Sequence, residues 1–409
     1  MKIAIGGRGR ELQTRSELER LPQAERATAA LADRFVHWAS VPGLSAQSRG
    51  EGFQAPRWIV RCDAVVHLPA HGDDYLVFNT PLRGDFEVAC ELRLQGWQEM
   101  HVRYGSCEFE LGHDRKHYRL HTSMQRGAAE TLILPPLPDG KGNVYQFRLA
   151  VKDGWLRAFV DGRELAAERI GADPEPWLLL HCSHMNTGAL RNLKIAGQPT
   201  VPEQVDLLAG DALGMWKAYS GDAWTKRGEE MYHFGKRPEP PEEGEPVTPR
   251  GFPEAATHYQ RPLLEDGVVE YEFFYEPDKA NVHPALDRLA FVLEPDGVHL
   301  HWLTDGAFEK SKTPFDNLVE ENGCRRGPSQ LPLKPRAWNR VRLAIAADMV
   351  KVAVNDVDVY ERAVEPTNQR LFGLFHYTDR AEARVRSMVH RGAWPKQRPA
   401  DDQLFELKK

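Results

Sequence analysis

The sequence predicts an all-β protein: two tandem β-sandwiches behind a short helical N-terminus. Three observations carry this expectation. Short runs of β-branched and aromatic residues alternate with polar ones, and Gly, Asp, Asn or Pro punctuate them. Helical periodicity is confined to the first forty residues or so. And the pattern of the first half returns in the second, in order and at constant spacing.

The helical expectation covers Glu11 to roughly Ser40, where Leu12, Leu18, Leu21, Ala24, Ala27, Leu31, Phe35 and Trp38 fall near helical spacing. Pro22 interrupts the run and implies two pieces. Gly6, Gly7 and Gly9 do not make a phosphate loop. Only Ile3, Ala4 and Ile5 precede them, and the Lys-Ser/Thr of such a loop is missing.

After Pro42 the strands begin, for example Trp58–Cys62, Phe86–Leu92 and Tyr145–Val151. Asp161-Gly162 suits a tight hairpin turn that needs positive φ. In the first half, Phe147–Val151 is followed by Phe159–Gly162, Glu168-Arg169, Leu179–His181 and Arg191–Gly197. In the second, Val341–Ile345 is followed by Ala353–Asp356, Glu361-Arg362, Leu374–His376 and Arg386–Gly392. Arg148 and Arg342 stand 194 residues apart, His181 and His376 stand 195, and Arg191 and Arg386 also 195. Earlier in each half, Asp85–Val88 answers Gly267–Tyr271, and Tyr118–His121 answers Val298–His301.

The repeat divides the chain into a helical segment (1–45), a first sandwich (46–198), a second (199–397) and a C-terminal tail (398–409). The boundary falls at Gln198–Pro202, and 409 residues are more than one core usually supports. Two Pro-bearing stretches, Lys236–Pro253 and Arg325–Pro335, read as exposed loops of the second sandwich.

Composition narrows the function classes. A net charge of −6 gives no global basic field for nucleic acid or an anionic membrane. No stretch is long and apolar enough to span a bilayer, and no export signal opens the chain, which places it in the cytoplasm if it is complete. Five cysteines (Cys62, Cys90, Cys107, Cys182, Cys324) without metal or disulfide spacing read as free thiols, mostly buried on strands.

The segments Asp85–Val88, Phe147–Val151, Val160–Leu165 and Arg191–Gly197 together resemble the concanavalin A-like jelly-roll superfamily. More narrowly, Ala383–Pro395 resembles an uncharacterised bacterial family of that superfamily, known as domains of unknown function. The resemblance spans roughly Trp58 to Pro395 and implies fold more than activity. The superfamily holds lectins, binding modules, glycoside hydrolases and polysaccharide lyases. It implies a concave sheet whose outward side chains form the ligand surface.

Alternation along a strand decides which side chains share that surface. His117, Arg119 and His121 share one face, as do His101 and Arg103, and as do His299 and His301. The repeat pairs His121 with His301 and His181 with His376. Imidazoles on a solvated sheet suit sugar hydroxyls, and Arg103, Arg119 and Arg288 suit the carboxylate or sulfate of an acidic glycan. Trp97, Tyr104 and Trp302 are candidates for stacking on a sugar ring. Trp58, Trp177, Trp216 and Trp338 read as packing residues instead. The candidate ligand-binding set is therefore His101, Arg103, His117, Arg119, His121, His181, His184, Arg288, His299, His301, Trp302 and His376.

No cofactor is expected and no metal is assigned. His299 with His301, and His181 with His184, have metal-compatible spacing but lack a third ligand. Glu108 and Glu110 share a face, yet the longer acidic pattern of jelly-roll glycosidases does not follow. Nor is there a GxSxG elbow. The leading expectation is carbohydrate or polymer binding by the concave faces, without catalysis. One rival is a lyase- or hydrolase-type enzyme built in one copy on His101, Arg103, His113, His117, Arg119 and His121. The other is a protein–protein interaction module of a larger assembly.

Overall fold

Strict alternation of buried and exposed side chains governs the long strands. In Phe86–Arg93, residues Phe86, Val88, Cys90 and Leu92 are buried while Glu87, Ala89, Glu91 and Arg93 turn outward. The same period runs through Gly267–Tyr275 and Ala337–Ala346. Each such strand has one face for a core and one for something else, so it must stack on a second sheet.

The computed structural model describes residues 2–5, 8–11, 35–41, 57–61, 64–68, 74–93, 100–111, 117–122, 129–133, 144–171, 173–182, 187–210, 212–234, 254–303, 318–366, 368–378 and 381–406. Among these residues the large sheets are four, all antiparallel. The front sheet of the first sandwich runs Ala129–Ile133, His117–His121, Cys107–Leu111, His101–Tyr104, Leu178–Cys182, Asp74–Phe78, Trp38–Val41. Its back sheet runs Arg163–Arg169, Trp155–Val160, Val144–Lys152, Phe86–Arg93, Ala189–Gly197, Ala64–Leu68, Arg57–Arg61.

In the second sandwich the front sheet runs Leu318–Val319, Gly297–Trp302, Leu289–Glu294, His283–Leu286, Phe372–Tyr377, Glu254–Tyr259, Trp216–Ser220. Its back sheet runs Val357–Ala363, Met349–Val354, Ala337–Ala346, Gly267–Tyr275, Ala383–Gly392, Glu230–His233, Thr225–Arg227, with Val205–Asp206 also paired to Ala383–Gly392. Counted in chain order, both sandwiches stack their strands in the same sequence. The predicted turn at Asp161-Gly162 has φ of 50° and 79°, and Asn355-Asp356 in the second half has 47° and 68°, the mirror-type hairpin geometry.

The N-terminal expectation needs correction. Lys2–Ile5 and Arg8–Glu11 pair as a hairpin, and Trp38–Val41 is a strand of the front sheet, with Trp38 buried against Phe78. β-Pairing overrode the helical spacing there, because the aromatic residues could fill a sheet-on-sheet core. The rest of that stretch, 12–34, lies outside the described residues, as does the whole loop Lys236–Pro253. Among the described residues there is no α-helix, and no helix is long and apolar enough to cross a membrane.

The segment expected as a tail is bound to the first sandwich. Leu404 is fully buried in its core, Trp38 Nε1 donates to the Leu404 carbonyl at 2.7 Å, and Phe405 stacks on Trp38. Between the sandwiches, Leu207, Leu208, Leu213 and Met215 carry the second core across to Val41, Tyr75, Val77 and Leu179. Those last four lie on the outer face of the first front sheet. The connecting segment therefore covers one half of that face and leaves the strands Cys107–Leu111 and His117–His121 beyond it.

Candidate functional site

The half of the first front sheet beyond the connecting segment is polar. Cys107, Phe109 and Leu111 point into the core, as do Val102 and Tyr104, so Glu108, Glu110, His101 and Arg103 must point the other way. Register then brings them together: Arg103 stands opposite Glu108, His181 opposite His101, His121 opposite Glu108 and Arg119 opposite Glu110.

Glu108 is the centre. It is 1% exposed, accepts from His181 Nδ1 at 2.9 and 3.0 Å, and pairs with Arg103 Nη1 at 3.2 Å. Arg103 is itself pinned by two bonds to the Ser106 carbonyl, at 2.8 and 3.3 Å. Tyr75 stacks on the His181 ring at 4.6 Å, and the His101 ring lies 6.0 Å from that of His181. Burial pushes the Glu108 carboxyl up, but His181 and Arg103 outweigh it and hold the group well below the usual carboxylate range. Burial holds His101 below its ordinary value, hence as a neutral imidazole.

Toward solvent the cluster opens. His121 Nε2 meets Glu110 Oε2 at 2.8 Å, and Arg119 Nη1 meets Glu110 Oε1 at 3.3 Å. The Arg119 side chain is 56% exposed, that of His121 27% and that of Glu110 20%. Glu110 lies below its usual range: burial raises it, but the His121 hydrogen bond and the nearby His101 lower it more. Among the described residues, Glu108, Glu110 and His121 are the one group with metal-ligand atoms close together, all within 4.8 Å of one another.

The predicted residues thus divide. His101, Arg103, Arg119, His121 and His181 converge on one face. His117 lies on the strand beside Arg119, paired with Ile133, and its side chain is outside the described residues; His184 and Trp97 are outside them altogether. Tyr104 points into the core, its hydroxyl donating to the Leu82 carbonyl at 2.6 Å. Arg288 donates twice to the Leu303 carbonyl, which makes it a bracket for that turn. Trp302 packs half-buried on the second core. Trp58, Trp177 and Trp216 are fully buried, as expected of packing residues, but Trp338 lies half-buried on the outer face of the back sheet, under Arg386.

On the second front sheet, His301 is buried, bonded to Glu254 at 2.7 Å and stacked on Phe375. His299 sits between Asp296, at 3.1 Å, and Glu320, with Arg325 bound to the same Glu320. His376 turns inward, bonding His233 at 2.8 Å between the sheets, and burial followed by that neighbour lowers it to about 3. The spacing that paired His181 with His376 is one residue off. Leu180 and Leu374 face inward alike, so the position answering His181 is Phe375, opposite His283 as His181 is opposite His101.

Carried across both sheets, this register gives His283, Ala285, Ala290, Val292 and Phe375 at the positions of His101, Arg103, Glu108, Glu110 and His181. Ala285, Ala290, Val292 and Phe375 form an apolar cluster with Ala256, Leu303 and Tyr377. The acidic members Glu108 and Glu110 were absent from the predicted set. Their Glu-x-Glu alternation on the strand after His101-x-Arg103 was the signal available.

Residues 249–397 match a family described as a domain of unknown function (DUF1583_N), and residues 148–240 match one described as a protein of unknown function (DUF1581). No curated protein matches the chain. Among solved structures, the carbohydrate binding module CBM66 from Bacillus subtilis aligns with 40% of this chain and 97% of its own, at 12% identity and a TM-score of 0.29. The endo-β-1,3-glucanase from Pyrococcus furiosus aligns with 39% of this chain and 87% of its own, at 11% identity and a TM-score of 0.28. A variant of human galectin-16 aligns with 30% of this chain and 94% of its own, at 14% identity and a TM-score of 0.24.

Proposed function

We propose that the chain binds carbohydrate on the outer face of the first front sheet, and that the second sandwich is a copy of the same unit whose face has lost that capacity. In this reading the copies divide near Gln198–Pro202. One observation carries the proposal: a cluster of three histidines, two glutamates and two arginines occupies this face, where the second sandwich places mostly Ala, Val and Phe in the same register.

A protein that needed the face only for packing would gain by filling it with apolar groups, as the second sandwich does. Two guanidiniums balance two carboxylates, so the face suits a hydroxyl-rich ligand more than a polyanion. Contact falls to the open edge, Arg119, His121 and Glu110, while His101, Arg103, Glu108 and His181 hold that edge in place.

The test is a glycan screen read by thermal shift on wild type, an Arg119→Ala/His121→Ala variant, and Arg342→Ala on a different sheet. A glycan that raises the melting temperature of wild type and Arg342→Ala, but not of the double variant, supports the site. If no glycan shifts wild type, or the shift survives the double variant, the proposal fails.

The same asymmetry favours a second reading, a carbohydrate-active enzyme with one working copy. The His121–Glu110 pair is an imidazole and a carboxylate at hydrogen-bond distance, able to relay a proton. Release of new reducing ends or unsaturated products from a bound glycan, abolished by His121→Ala, would select it. Binding without product would leave the lectin-like reading.

A further inference from the structure

We propose that Glu108, Glu110 and His121 form a site for one divalent first-row transition ion such as zinc, with a coordination position open to solvent. This goes beyond the carbohydrate reading and does not depend on it.

The backbone assembles the three donors. Glu108 and Glu110 project from one strand on the same face, and His121 stands opposite Glu108 on the next. One oxygen of each carboxylate and one ring nitrogen lie within 4.8 Å of one another. A tetrahedral ion with ligands at about 2.0–2.2 Å would draw those atoms to about 3.4 Å apart, a shift that side-chain rotation alone can supply. Two carboxylates and an imidazole are a borderline-hard set that suits zinc or manganese. Three protein ligands with a free fourth position are the pattern of sites that bind water or substrate, whereas purely structural zinc sites are closed by four.

Around the donors stands the outer layer such sites need. His181 and Arg103 hold the Glu108 carboxylate, and the Ser106 carbonyl holds Arg103. His181 takes one acceptor position on each Glu108 oxygen and Arg103 a second on Oε2, so of the roughly four positions a carboxylate offers, one on Oε1 is left for the ion. Arg119 has to give way, because its guanidinium on Glu110 would repel a dication. It is the most exposed member and can swing into solvent. The second sandwich supplies the contrast: Ala290 and Val292 stand where the two carboxylates would be, and His301 is left with Glu254. The expected stoichiometry is therefore one ion per chain.

The experiment uses the full chain, stripped with chelator and titrated calorimetrically with zinc alone and manganese alone. Metal content after dialysis and the visible spectrum of a cobalt form complete it. We expect one equivalent, a rise in melting temperature, and a cobalt spectrum without a thiolate band. Glu110→Gln, which keeps the side-chain volume, and His121→Ala each weaken binding by more than about tenfold. His299→Ala leaves it unchanged. The proposal is overturned if neither ion binds, if a thiolate band places cobalt on a cysteine, or if His299→Ala abolishes binding while the other two variants do not. Should His121→Ala fail to fold, Glu110→Gln and the cobalt spectrum still decide.

Discussion

At the scale of single residues, burial decides what a charged group does more than its identity. Glu108 and Glu175 are both buried glutamates with opposite fates. Glu108 has His181 and Arg103 against it and stays ionised. Glu175, on the segment that meets the connecting chain, is raised to about 8: burial dominates the weaker pull of the Met215 N–H, the Tyr259 hydroxyl, Lys226 and Arg103. An acid whose folded value lies above its free one costs nothing while neutral in both states. Stability should therefore fall from about pH 4.5 to about pH 8 and level off, a loss of up to several kcal/mol. Glu175→Gln should flatten this slope, matching wild type near pH 5 and exceeding it near pH 9. Melting curves across that range check it, and parallel curves for the two proteins would refute it.

Among elements, the strands were the most legible part. Period-two alternation marks Phe86–Arg93 and Val144–Lys152 wherever one face is a core. Helical spacing around Phe35 and Trp38 misled because a few aromatics fit several periods, and a partner strand, absent from local sequence, decides between them. The C-terminal element shows the same limit. Nothing near Leu404 says that it belongs to a core formed mostly by residues 35–195. Leu404→Ala should cost about 2–5 kcal/mol, as for other fully buried leucines. Denaturant unfolding measures it, and the near-ultraviolet signal of Trp38 should change with it. A loss below about 0.5 kcal/mol would mean the segment only rests on the surface.

For the whole molecule, the two sandwiches are joined by more than the chain. Trp177 Nε1 donates to the Tyr259 hydroxyl at 2.9 Å, and the Arg261 guanidinium lies 4.3 Å over the Trp177 ring. Arg261 also reaches the Asn79 carbonyl at 3.2 Å and pairs with Glu265 at 2.7 Å. Trp177 belongs to the core cluster that runs on into the second sandwich. Unfolding of the wild type should thus be one cooperative transition by calorimetry. Trp177→Ala should cost about 3–5 kcal/mol and split it into two. Two transitions already present in wild type would show that the junction does not couple them.

The sequence by itself determined the all-β character, the hairpin at Asp161-Gly162, and five members of the candidate site with the strand faces that they share. Those are local properties: alternation, turn chemistry and side-chain type within a few residues. Only the tertiary structure decided that Glu108 and Glu110 complete the cluster, that Phe375 and not His376 answers His181, that Arg288 braces a turn, and that the C-terminal segment closes the first core. Each of these depends on contacts that a few residues of local sequence do not contain, and the first two depend on the register between paired strands. A shift of one residue there reverses which face a side chain occupies, while leaving the local pattern unchanged.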